Sequence, residues 1–290
     1  MNQNQNKYPL ITVRIPAFNH EKFVCKSLDS VRLQSYPNKE IAIIDDGSTD
    51  DTEQKIKEWI AQHGKTIDVN FLSRKKKGIS ATLNQLIDMS KGQYIAALAS
   101  DDYLLPDSLS IRYEYLRKHP EKMAVFGDSI VVDENGMTLY KSGLADLHSA
   151  KKEYWLTDEG LKKEIIQNWS VPGPTLMVRR SLHTKIRFNE NLQVEDRDFY
   201  LRLVADNLLG FIDKPIAAYR VHGKNFCLDK KNRFISSVNK FKSLTMNIHR
   251  FPMRDRILFI IPIVSSVLGV VIHYIIKKLG HGIDSQNNKT

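Results

Sequence analysis

The stretch Leu10–Thr52, LITVRIPAFNHEKFVCKSLDSVRLQSYPNKEIAIIDDGSTDDT, decides the fold class. Leu10–Ile15 alternates and is rich in β-branched side chains, which suit a pleated, half-buried strand. Pro16 ends it, and Glu21–Gln34 follows as a helix with apolar Phe23, Val24, Leu28, Val31 and Leu33. Glu40–Asp45 is a second strand pattern. A Gly-Ser-Thr-Asp turn then opens a helix near Thr49, with Asp50, Asp51 and Glu53 in its first turn, where the helix dipole favours anions. Strands alternating with helices imply right-handed crossovers and a mainly parallel central sheet, the α/β class. Ligands of such sheets bind beyond the carboxyl ends of the strands.

Working outward, Ile67–Leu72 is a third strand, Gly78–Ser90 a third helix, and Tyr94–Ala99 an apolar run short enough for a buried strand. After Asp107 the rhythm changes. Asp107–Lys118 is helical, Met123–Asp133 a long strand pattern, and Glu134-Asn135-Gly136 a turn. Thr157–Asn168 and Asp198–Asp206 are helical, whereas Thr175–Arg179 and Phe211–Tyr219 are strand-like. Asp229–His249 carries Phe234, Val238, Phe241, Thr245 and Ile248 at helical spacing, with Lys230, Lys231, Arg233, Lys240 and Lys242 elsewhere on its surface. Such a helix suits a membrane interface or a core-facing position with a solvated basic side.

The net charge of +10 first suggests nucleic acid, but its location argues otherwise. Lys224–Arg256 holds nine Lys and Arg against two acids, and the residues before Lys224 are close to neutral. A nucleic-acid groove needs the charge on the folded domain, whereas this charge flanks an apolar segment, as a membrane surface requires. That segment, Ile257–Ile276, is 20 residues without a charged side chain, about 30 Å as a helix. A buried helix or a re-entrant segment broken at Pro262 are the alternatives. Lys277 and Lys278 follow, placed to snorkel. The basic excess ahead of the segment predicts a main domain at the cytoplasmic face. No signal peptide is expected from MNQNQNKYPL, and Cys25 and Cys227 have no metal-ligand spacing, which fits a reduced compartment.

Acidic residues gather where the ligand crevice should be. Asp45 and Asp46 end the second strand, Asp101 and Asp102 follow the fourth, and Glu195-Asp196 precedes a helix carrying Asp198. Adjacent carboxylates repel, so such pairs call for a cation or hydrogen-bond donors nearby. Mg²⁺ or Mn²⁺ is satisfied by one or two carboxylates plus diphosphate oxygens. The plain readings are a solvated turn for the Asp pairs, a helix cap at Glu195-Asp196, a solvated run at Arg74–Lys77, and core packing for Trp155 and Trp169; the functional alternatives are a donor-phosphate contact from one of Arg74–Lys77 and acceptor-sugar stacking on the tryptophans. Competing motifs are absent: no phosphate-binding Gly-x-x-x-x-Gly-Lys loop, no Gly-x-Gly-x-x-Gly, no nucleophile elbow, no His-Glu-x-x-His.

The opening stretch, together with KGQYIAALASDDYLLPDSL (Lys91–Leu109), resembles family 2 glycosyltransferases of the GT-A fold. GPTLMVRRS (Gly173–Ser181), VEDRDFYLRL (Val194–Leu203) and YRVHGKN (Tyr219–Asn225) resemble that family's later elements, in order. The resemblance spans roughly Pro9–Asn225. It implies a nucleotide pocket lined by Pro16, Ala17, Asn19 and Glu21, with Asp46 bonding the base beside Asp45. It further implies Asp101 at the ribose, Asp102 on the metal, Asp196 as catalytic base, and His222 closing over the diphosphate or metal. Glu195, Gly173 and Pro174 fall on the acceptor side. Ala99 departs from a pattern that is often acidic there. The expected organisation is a GT-A domain over 1–223, a basic amphipathic connector over 224–256, a membrane segment over 257–276 and a polar tail over 277–290.

The implied function is inverting, metal-dependent (Mn²⁺ or Mg²⁺) transfer of a sugar from a nucleotide-sugar to a lipid-linked or cell-surface glycan. The chemistry agrees with the name: a metal stabilises the leaving diphosphate, and one carboxylate activates the acceptor hydroxyl. Two other readings are a catalytically silent sugar-nucleotide-binding membrane subunit and a nucleotidyltransferase. Retention of Asp102 and Asp196 argues against the first. The second needs a Gly-rich basic loop that Ile15–His20 lacks.

Overall fold

A computed structural model describes residues 8–223, 225 and 232–287, with side chains as far as Tyr274. Lys224, Lys230 and Lys231, and the side chains of Lys277 and Lys278, lie outside the described residues. The chain runs β1 (Ile11–Ala17), α1 (Val24–Arg32), β2 (Lys39–Asp45), α2 (Thr52–His63), β3 (Asp68–Ser73), α3 (Ile79–Met89), β4 (Tyr94–Ala97), β5 (Tyr103–Leu104) and α4 (Ser108–Lys118). It continues through β6 (Ala124–Val132), β7 (Thr138–Tyr140), α5 (Asp158–Gln167), β8 (Met177–Arg179), α6 (Asp196–Ala205) and β9 (Leu209–Arg220). Three helices follow: α7 (Arg233–Asn247), α8 (Met253–Arg256) and α9 (Ile260–Asn287).

One sheet runs β3-β2-β1-β4-β8-β6-β9-β5, with β7 beside β6. Its first four strands are parallel, as the alternation predicts. The remainder is mixed. β8 is antiparallel to both β4 and β6, β6 and β9 are parallel, and β5 and β7 pair antiparallel with β9 and β6. The short β8 is the seam between a nucleotide-type half and a second half.

Alternation along β2 shows why the sheet is buried on both faces. Ile41 and Ile43 enter one core with Val24, Leu28 and Val31 of α1, while Ala42 and Ile44 enter the other with Leu83, Leu86 and Ile87 of α3. Each aliphatic side chain so buried contributes about 1.5–3 kcal/mol. The second core extends past the expected boundary near 223, because Leu244, Phe251 and Phe259 belong to it. The basic segment is therefore docked on the domain.

Met253–Tyr274 has a mean hydropathy of 2.3, and among the described residues it is the one stretch long and apolar enough to cross a membrane. It starts with α8 and passes through a 3₁₀ turn at Ile257–Phe259 before α9. α6 begins at Asp196, two residues earlier than the sequence pattern suggests, so Glu195 is its N-cap and Asp196 lies in its first turn.

Candidate active site

The loops after β1, β2 and β3 interlock at the carboxyl edge of the sheet. Asn19 adopts a left-handed φ of 56°, which Asn tolerates. Its backbone N–H donates to Ser48 Oγ (2.9 Å), and its side-chain oxygen accepts the Thr49 N–H (2.8 Å). Glu21 accepts the Asp51 N–H at 3.0 Å. Asp45 is bonded by the Ser48 hydroxyl and N–H. Gly47, at φ 81°, lets this turn approach the next loop; a Cβ there would meet the Lys76 nitrogen at 2.8 Å.

Asp46 was expected to bond a nucleotide base, but its carboxylate is engaged within the protein. It accepts the Lys77 and Gly78 N–H groups at 3.0 and 2.8 Å and pairs with Arg74 at 3.0 Å. Arg74 is therefore no part of a solvated charge run. It also donates to Thr82 Oγ1 at 2.7 Å, while its Nε and Nη1 are buried without a hydrogen-bond partner. Two orphaned guanidinium donors beside this crevice suit a ligand rich in acceptor oxygens. Pro16 and Ala17 close β1, directly opposite Ile44 and Asp45.

Beyond β4 the two aspartates separate in role. His222 Nε2 lies 3.1 Å and His20 Nε2 3.7 Å from Asp101 Oδ2. These three residues bring one ligand atom each within 4.8 Å of one another. His20 is aimed by its Nδ1 contact to Ser100 Oγ (2.7 Å) and by its backbone bond to Thr52. Burial alone would raise the Asp101 carboxyl, but the His222 hydrogen bond and the neighbouring His20 hold it below the usual range.

Asp102, the expected metal ligand, is not a member of this three-residue cluster. Its carboxylate is buried and accepts the Arg220 N–H at 2.7 Å. Burial and the charge of Asp101 hold it well above the ordinary carboxylate range. The Arg220 guanidinium donates to the carbonyls of Asp101, Asp133 and Glu134, tying β9 to the β4 loop. The donor set of the cluster, two imidazoles and a carboxylate, fits a divalent transition metal. It places Asp101 rather than Asp102 among the ligand atoms.

The second acidic pair sits on the same edge. Arg14 is opposite Ala97 in the β1–β4 register, and the charge of Glu195 acts on it. The Leu192 carbonyl, three residues ahead of Glu195, accepts the Ser80 hydroxyl at 2.8 Å in the first turn of α3, beside the Gly78 N–H that Asp46 accepts, so the chain enters α6 from the carboxyl edge of the sheet. Glu195 is pushed up to about 8 by burial and by the Asp196 charge. Asp196 is raised by burial, against the Arg197 N–H that donates to its Oδ1 at 2.7 Å. Both keep partial access to solvent. Arg197 lies 4.9 Å from the Trp169 ring centroid. Trp155 is core, as expected, packed on Phe126. Gly173 is exposed and Pro174 buried in a 3₁₀ turn that leads into Leu176, whose carbonyl accepts the Ala97 N–H at 2.8 Å. That turn thus borders the end of β4.

His20 is the residue that sequence reasoning missed as a site member, and Arg74 is the member of the Arg74–Lys77 run that the structure draws into the site. Each lies in a loop already singled out, yet the decisive partner in each case is distant in sequence.

The sequence matches the description "Glycosyl transferase family 2" over residues 12–187. It is 28% identical over 249 residues to a chondroitin synthase of Escherichia coli, covering 86% of this chain and 34% of that protein. It is 26% identical over 236 residues to a hyaluronan synthase of Pasteurella multocida, covering 79% and 23%. The chain thus spans about a third or less of the length of these relatives. S. aureus TarS 1–349 superposes with a TM-score of 0.62 at 17% identity, covering 88% of this chain and 71% of that one. The mannosyltransferase PcManGT from Pyrobaculum calidifontis, solved with GDP-Man and Mn²⁺, gives 0.66 at 15% identity, covering 97% and 81%. The interlocked loops, the two acidic clusters on one sheet edge and these likenesses agree: the chain is a GT-A-fold enzyme that belongs to glycosyl transferase family 2.

Proposed function

We propose that this enzyme transfers a sugar from a nucleotide-sugar to a hydroxyl of a lipid-linked or cell-surface glycan, with inversion and with a divalent cation. The observation that carries the reading is the division of labour at one sheet edge. His20, Asp101 and His222 converge from the loops after β1, β4 and β9, while Glu195-Asp196 opens α6. His20, Asp101 and His222 would hold the cation, which supplies positive charge to the departing nucleoside diphosphate. Pro16, Ala17, Asn19 and Glu21 frame the donor pocket with Asp45 and Asp46, and the free donors of Arg74 serve the donor's oxygens. Asp196 takes the proton of the acceptor hydroxyl, and attack from the face opposite the leaving group inverts the anomeric centre. Gly173 and Pro174 border the acceptor side. A nucleotide-sugar donor is supported by the neighbours bound to UDP-GlcNAc and to GDP-Man. A polymeric acceptor is supported by the names of the synthase relatives. The apolar C-terminal helix supports attachment to a membrane, and the basic residues ahead of it support the cytoplasmic face.

The test is a screen of UDP-, GDP- and dTDP-sugars against membrane extracts, with and without Mn²⁺. Asp196→Asn should lower turnover by about 10²–10⁴-fold while donor binding persists. Turnover that survives both the substitution and chelation would overturn the reading. Donor binding without any Asp196-dependent transfer would point instead to a silent binding subunit.

A further inference from the structure

The C-terminal helix is amphipathic in an inverted sense. Its inner face, at Phe259, Pro262, Ser266 and Gly269, packs inward, with Phe259 and Ser266 almost fully buried. Its outer face presents Ile257, Ile261, Val264, Leu268 and Val271, with Ile261 at 72% and Leu268 at 54% exposure. Beyond Phe259 the most buried side chains are small, Pro262 and Ser266, and most of the large aliphatic ones face outward.

What the inner face packs against decides how lipid can be met. α7 and α9 run antiparallel in close contact. Lys240 Nζ donates to Ser265 Oγ at 2.8 Å, and the Phe234 and His273 rings lie 4.6 Å apart. Between these contacts a Cβ on Gly269 would meet Ser237 Oγ at 2.6 Å, so glycine permits the approach. α7 carries Arg233, Lys240 and Lys242 and is fixed to the catalytic domain. Asn239 accepts the Gln193 N–H at 2.9 Å, Asn247 donates to Asp198 at 2.8 Å, and Leu244 is fully buried. Were α9 to cross a bilayer, α7 would have to enter the hydrocarbon beside it, bringing its cations and the loop before Glu195. Polar side chains at that depth are disfavoured.

We propose that α9 does not span the membrane but lies in its plane, one face on α7 and the other sunk into an anionic lipid surface. Arg250 and Arg254, exposed just ahead of the apolar face, and Lys242 on α7 supply the complementary charge. A helix so placed buries its apolar face about 5–10 Å into the headgroup–acyl boundary. The inference rests on the membrane attachment in the reading above and adds its geometry.

The experiment uses the full chain with both cysteines replaced by serine and single cysteines at Ile261, Val264, Leu268 or Ser266. Each is labelled with an environment-sensitive fluorophore and mixed with phosphatidylglycerol–phosphatidylethanolamine vesicles, and depth is read by brominated-lipid quenching. The three outward positions should report one shared shallow depth, and the Ser266 site should stay unquenched. A spanning helix would instead put Leu268 about 10 Å deeper than Ile261 and quench Ser266 like the rest; that result overturns the in-plane geometry alone. Absence of binding to any vesicle overturns the attachment itself, and a dimer in its place assigns the face to a second copy. In the unlabelled chain, Ile261→Glu with Leu268→Glu should cut vesicle partitioning by at least about tenfold, with the circular dichroism spectrum unchanged. Retained partitioning contradicts the assignment of this face to lipid.

Discussion

Replacing Asp101 or Asp102 by asparagine separates two carboxylates that are neighbours in sequence and differ in surroundings. Asp101 Oδ2 is shared by two imidazoles within 3.1 and 3.7 Å. Asparagine there keeps the shape but removes the only negative charge of the three-residue cluster. Loss of an outer-shell partner typically lowers metal affinity 10–100-fold, so loss of a direct carboxylate ligand should lower it by at least about 100-fold, or ~2.7 kcal/mol. Asp102 contributes in another way: its Oδ1 accepts the Arg220 N–H at 2.7 Å. An amide oxygen accepts the same bond. Because burial and Asp101 already favour the protonated form of Asp102, the neutral amide resembles the side chain it replaces. Asp102→Asn should therefore change Mn²⁺ affinity by less than about threefold and stability by less than ~1 kcal/mol. Mn²⁺ titration followed by electron paramagnetic resonance, without donor, measures both. The reverse ranking, with Asp102→Asn abolishing binding and Asp101→Asn sparing it, would refute the assignment of Asp101 to the metal.

Two further expectations concern the donor and the acidic pair. Arg74→Met should weaken nucleotide-sugar binding by about tenfold or more, the value of a charged hydrogen bond, and leave the acceptor KM unchanged; calorimetry showing an unaltered donor Kd would contradict it. For Glu195, whose folded value lies near 8 and so above that of the unfolded chain, stability is fully present at low pH and is lost as pH rises through that value. Tm should accordingly fall from about pH 5 to 9, and Glu195→Gln should flatten the slope. Since Asp196 must be ionised to accept a proton, kcat/KM should climb with pH above the ordinary carboxylate range, and a rate profile already flat at pH 5 would count against its role as base.

The nucleotide-binding half was legible because its signals are local. Strand periodicity in β1 and β2, the acidic turn after β2 and the aspartates after β4 each lie within a few residues, and the parallel order follows from crossover handedness. The mixed half was less so. β8 is three residues long and carries no period of its own; its place between β4 and β6 is set by pairing with both. The same limit applied to the site. Nothing near Arg74 distinguishes it from the lysines that follow, and only Asp46 across the crevice withdraws it from solvent. Likewise, adjacency in Asp101-Asp102 says nothing about which carboxylate turns toward His20 and His222 and which toward the Arg220 N–H. Hydropathy identified the apolar C-terminal helix, while its small inward-facing residues acquired meaning only from the contact with Ser237 and Lys240.

The Asn239 side chain gives α7 a second consequence. One flank of this helix bears α9, and the other holds the backbone of Gln193, two residues ahead of Glu195. Packed helices sit about 8–10 Å apart, so a surface touching the far side of α9 lies roughly two such spacings from the proton-accepting loop. On the in-plane geometry proposed above, the enzyme would work as a fixed-height gauge, selecting acceptor hydroxyls by how far they stand above the surface α9 rests upon.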